Sequence, residues 1–120
     1  MKLSEQKLEQ AKKLLFEIQV YFDTISEFIS AKYVEGSILD IADKILKSIE
    51  KRLNKYSSLP IERKKAQRNI LKSIRIKYLY LRALLIALQR LNNDNDDDYP
   101  ADKITDFSMK NLELFYDIVK

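Results

Sequence analysis

The chain has 120 residues, 46% of them hydrophobic and 33% charged, with a formal net charge of +4. That length holds one domain with a single core. The absence of cysteine and histidine excludes disulfides, thiolate chemistry and the commonest general base and metal ligand.

One glycine and two prolines leave few places to turn, so the expected fold class is all-α: a single bundle of four to five helices with a long central helix. No Asn-Gly or Gly-Gly hairpin turn occurs. The start, MKLSEQKLEQAKK, lacks the apolar core of a signal peptide. The longest apolar stretch, Ile76 to Leu88, contains Lys77 and Arg82 within 13 residues. It is too short and too charged to span a bilayer, so a soluble intracellular protein without membrane contact is expected.

The first helical pattern opens after Ser4, an N-cap candidate. Leu8, Ala11, Leu15, Ile18, Phe22, Ile25 and Ile29 recur at three- and four-residue steps and form one apolar stripe. Leu14, Tyr21 and Phe28 widen it. Asp23-Thr24 marks a kink or a restart, and the sequence leaves the two open. Gly36 is expected to end this unit as a C′ residue, with Ser37 to Asp40 opening the next helix as a capping box. The second helix directs Ile38, Ile41, Ala42, Ile45, Ile49 and Leu53 to the core and ends near Tyr56.

Pro60 suits the first turn of a third helix reaching about Leu91. Its first half has one apolar stripe among charges. From Ile76 to Leu88 nearly every side is apolar, which predicts a helix surrounded by partners. A polar loop, Asn92 to Asp98, follows. In the last helix Ser108 reads as N-cap, with Phe107 stapled to Leu112. Leu112, Phe115, Ile118 and Val119 continue the apolar face to an end without a terminator, and continuation beyond Lys120 is expected.

Charge is segregated. Residues 1–60 carry ten basic and nine acidic side chains, residues 61–90 nine and one, and residues 91–120 three and eight. Arg68, Lys72 and Arg75 fall near one helical face, extended by Lys64 and Lys65, with Arg63 preceding them. Such a face suits phosphate or an acidic protein surface, or it is merely solvated. No aromatic side chains interleave with it, which leaves single-strand base stacking without support. Asp94, Asp96 and Asp98 alternate like the start of an EF-hand loop. Tyr99 stands where that loop needs glycine, and Thr105 where it needs glutamate, so no metal site is expected. Tyr33, Tyr56, Tyr78 and Tyr116 read as core or core-edge packing. Phe16 and Tyr80 lie off the main stripes and are partner-contact candidates. No nucleotide, zinc or nucleophile motif occurs, and neither catalysis nor a cofactor is expected.

Two stretches together resemble a known family. In ERKKAQRNILKSIRIKYLYLRALLIALQRLN, the elements Ile74-Arg75, Tyr78 and Arg82, followed by Ala83 to Leu88, are similar to the long helix of archaeal GINS subunits. DFSMKNLELFYDIVK resembles that family's downstream segment, through Asp106, Phe107 and Ser108 and through Phe115-Tyr116-Asp117-Ile118-Val119. Lys110 and Asn111 stand where the family has acidic residues. The resemblance covers residues 61–120. It implies a helical A-type domain over 1–120, with a B domain expected after Lys120. It also implies a non-catalytic scaffold of the archaeal DNA replication complex, cytoplasmic and nucleoid-associated. Its partners would be other GINS-type subunits, a RecJ-like protein and the MCM helicase, contacted through Arg63, Lys64, Lys65, Arg68, Lys72, Arg75, Phe16 and Tyr80. The alternative is a small helical nucleic-acid-associated protein, such as a viral or CRISPR-complex subunit.

Overall fold

A computed structural model describes residues 3–28, 34–92 and 100–120. Within them lie four helices: α1 (Glu5–Ile25), α2 (Val34–Ser58), α3 (Lys64–Asn92) and α4 (Pro100–Val119). No strand occurs among the described residues. The chain is an all-helical bundle.

Serine chemistry sets the first boundary as expected. Ser4 Oγ accepts the Lys7 amide at 3.2 Å and caps α1. Ala11, Leu15, Ile18, Phe22 and Ile25 then form its buried stripe. The helix ends at Ile25, where Ser26 Oγ and Thr24 Oγ1 turn back onto the carbonyls of Asp23 and Val20. Phe28 is exposed rather than a widening of the stripe. Ile29 and Tyr33 lie outside the described residues.

Gly36 does not end a helix. It lies inside α2, and no described residue has positive φ. The expected capping box is likewise absent, since Ser37 is helical and the Asp40 carboxylate pairs with Lys44 at 3.1 Å. A glycine in a helix costs about 1 kcal/mol relative to alanine. Burial of Leu39, Ala42, Leu46, Ile49, Leu53 and Tyr56 along the same helix outweighs that. The buried stripe is also rotated from the expected one. Ile41 is exposed, Ile38 and Ile45 are half-buried, and α2 continues to Ser58.

Pro60 lies in the turn before α3 rather than in its first turn, and its carbonyl accepts the Arg63 amide at 3.1 Å. In α4 the expected start at Ser108 is overturned. The helix begins at Pro100, and Ser108 is fully buried eight residues on. Ser108 Oγ donates to the Ile104 carbonyl at 3.0 Å and Thr105 Oγ1 to that of Ala101 at 2.6 Å. Each hydroxyl thus finds its acceptor one turn back and needs no cap role. Phe107 is half-exposed and packs its ring on Tyr21, with centroids 6.0 Å apart, so it staples nothing.

The helices form a closed square. α1 packs on α2 and α4, and α3 packs on the same two, which puts α1 and α3 on one diagonal. Leu3 N donates to Tyr56 Oη, and Gln19 Nε2 to Asp43 Oδ1, so α2 runs antiparallel to α1. Asn111 bonding Glu17, and Gln89 bonding Asp106, make α4 antiparallel to α1 and to α3. The topology is up-down-up-down, as short connections favour. With helices of 20 to 29 residues the bundle measures 52 × 23 × 19 Å. Among the described residues no helix is long and apolar enough to cross a membrane.

The longest helix, α3, buries Gln67, Leu71, Ile74, Tyr78, Leu81, Leu85 and Leu88, spaced alternately four and three apart. That is the heptad spacing of a helix–helix seam. Ile70 is buried beside this row and Leu84 and Ile86 are half-buried, but Ile76, Leu79 and Tyr80 are 44%, 59% and 62% exposed, contrary to the expected enclosure. A helix at the corner of a square has two neighbours and one outward side. These residues occupy that side.

Candidate functional site: the outer face of α3

Arg63 precedes the first turn of α3, with its carbonyl accepting the Gln67 amide, and its side chain is exposed. Lys64, Lys65, Arg68 and Lys72 are exposed along the next three turns. Among the described residues every ion pair lies elsewhere: Lys44–Asp40, Lys47–Asp43, Arg82–Glu113 and Lys120–Asp117. Five cations therefore stand together without an acidic partner among the described residues. Lys65, Arg68, Asn69, Leu71, Lys72 and Arg75 line an open depression of about 610 Å³.

Arg75 differs from its neighbours. Its Nε donates to the Val119 carbonyl at 2.7 Å and so holds the C-terminal end of α4. A cation there satisfies an orphan carbonyl and opposes the negative end of the helix dipole. It is a half-buried structural contact at the edge of the basic strip.

Beyond Lys72 the outer face turns apolar, with Ile76, Leu79 and Tyr80 followed by Ala83 and Ala87. The two predicted elements, basic strip and exposed Tyr80, thus lie end to end on one helix. Ile76 and Leu79 were missed because residues 76–88 read as fully enclosed. The steps between Ile76, Tyr80, Ala83 and Ala87 would have revealed a second seam, opposite the first.

Phe16 is 68% exposed but sits on α1, across the bundle from α3. It lines a smaller groove of about 210 Å³ with Lys12, Leu15, Gln19, Glu50, Leu53 and Asn54. Gln19 Oε1 is buried there without a partner. Burial pushes the Glu50 carboxyl up, Asp43 adds to this, and Lys47 opposes it. Phe16 and Tyr80 therefore mark separate surfaces.

Behind the outer face, Tyr78 Oη lies 3.0 Å from both carboxylate oxygens of Glu113, and Arg82 Nε lies 2.9 Å from one. The Tyr78 ring stacks on Tyr116, with centroids 4.2 Å apart and planes 15° apart. Burial, then the Glu113 bond and charge, push the Tyr78 phenol up to about 12. This cluster locks α3 to α4 and fixes the orientation of the outer face.

Among the described residues no group of three or more acidic side chains is placed to hold a metal ion. Asp94, Asp96 and Asp98 lie outside the described residues. No family model matches the chain, and no curated protein or solved structure matches it either.

Proposed function

We propose that this chain is a non-catalytic docking module, which holds a protein partner on the outer face of α3. One observation carries this reading: five unpaired cations run directly into the exposed Ile76, Leu79 and Tyr80 on the same helix. Apolar side chains in contiguous exposure mark interfaces, and tyrosine is among the types enriched in them. The cations would steer a partner whose apolar patch is flanked by acidic residues. Four packed helices supply the rigid platform.

The resemblance of residues 61–120 to GINS A domains names a specific assembly. In it the chain would be a scaffold for other GINS-type subunits, a RecJ-like protein and the MCM helicase. Isothermal titration against a purified GINS-type subunit and a RecJ-like protein tests this. Binding is expected to weaken with salt and to be lost in Tyr80→Asp. No heat with any of these partners would remove the replication assignment.

The unpaired basic strip also favours a second reading, contact with nucleic-acid phosphates. It predicts duplex binding whose affinity falls steeply with salt and is lost in the double variant Arg68→Glu, Lys72→Glu. Silence in a low-salt gel shift would dismiss it.

A further inference from the structure

The outer seam of α3 has a property that its exposure alone does not convey: it complements itself. Ile76, Tyr80, Ala83 and Ala87 follow steps of four, three and four, the spacing of a helix–helix seam. The two large residues come first and the two small ones last. Two such helices laid antiparallel, with the two-fold axis between Leu81 and Arg82, set Ile76 against Ala87 and Tyr80 against Ala83. Each large side chain then meets a small one, and Leu79, beside the seam, comes on the same flank as Ile86 of the other copy. A parallel arrangement would oppose Tyr80 to Tyr80 and leave a gap at each alanine.

Charge selects the same direction. In parallel pairing Lys65, Arg68 and Lys72 of one copy would face the same cations of the other. Antiparallel pairing separates them, with Lys72 level with Leu91.

We infer that the apolar half of this face is a self-association surface, occupied by α3 of a second copy in an isologous antiparallel pair. The inference rests on the docking reading above and names the partner for its apolar half. One helix seam per copy is a small interface, so the pair forms and dissociates with concentration. The cationic halves project from its two ends and stay free for a further acidic partner.

Sedimentation velocity over a wide concentration range tests this, together with Ala83→Arg. That substitution is at an exposed position, and a circular dichroism spectrum checks that it leaves the helices intact. The wild-type mass is expected to double as concentration rises, while Ala83→Arg stays a monomer. Direction is read from the single-cysteine chains Ile76→Cys and Ala87→Cys, mixed and mildly oxidised. The 76–87 cross-link should exceed either homodimer severalfold. A wild-type monomer at every concentration overturns the pairing, as do 76–76 and 87–87 links that match or exceed the mixed one. A monomer that still binds a second protein through Tyr80 overturns self-pairing and leaves the docking reading standing.

Discussion

Tyr78 and Glu113 join α3 to α4 through a phenol set 3.0 Å from each carboxylate oxygen, with Arg82 completing the cluster. Arg82 and Glu113 side chains are both 46% exposed, so their ion pair contributes little by itself. The bond from the buried phenol matters more. Tyr78→Phe keeps the stack on Tyr116 and removes only that bond. It should cost about 1 kcal/mol, below the usual range for bonds to charged groups because Arg82 still satisfies Glu113. Urea unfolding of the two proteins measures it.

The same phenol makes stability depend on alkaline pH. Its folded pKa of about 12 lies above the value of 10.0 for a free tyrosine. The folded state therefore holds the proton more tightly than the unfolded chain. This contribution is complete below pH 10, declines as pH rises, and is gone above about 12. Thermal unfolding from neutral to alkaline pH should show a steeper loss for wild type than for Tyr78→Phe.

Gly36 separates the two accounts of the α1–α2 region. As a C′ residue with positive φ it would resist any side chain. Inside α2, with no positive φ, it gains from one. Gly36→Ala is expected to stabilise the protein by roughly 0.5–1 kcal/mol. A lowered urea midpoint would return the helix boundary to Gly36.

Arg75→Ala should loosen the last turn of α4, where the Val119 carbonyl loses its donor. A loss of about 1 kcal/mol is expected, with faster amide exchange over residues 116–120 and unchanged exchange in α1. Arg75→Lys should restore part of the protection, because charge remains at the helix end.

The all-helical class, the Ser4 cap and the α1 stripe from Ala11 to Ile25 were legible because local chemistry and burial agree there. Gly36 and Ser108 misled for a common reason. Both are strong local punctuation, and both lie inside a helix held by its buried stripe, which begins at Leu39 in α2 and runs through Ser108 in α4. Serine at 108 satisfies its hydroxyl within the helix, so nothing forces a boundary. The basic strip was visible in composition, but the role of Arg75 was not. Its acceptor is a carbonyl 44 residues away, which only the closure of α3 on α4 supplies. The apolar half of the outer face was hidden by abundance, since a run with apolar residues on every side does not reveal which side lacks a neighbour.

Hydroxyl-radical footprinting at low and high protein concentration tests the central claim most directly. Ile76, Leu79 and Tyr80 on α3 should become protected as concentration rises. Phe16, on the diagonally opposite α1, should label equally throughout. Unchanged labelling of all three α3 residues, or protection centred on Phe16 instead, would contradict an interface on the outer face of α3.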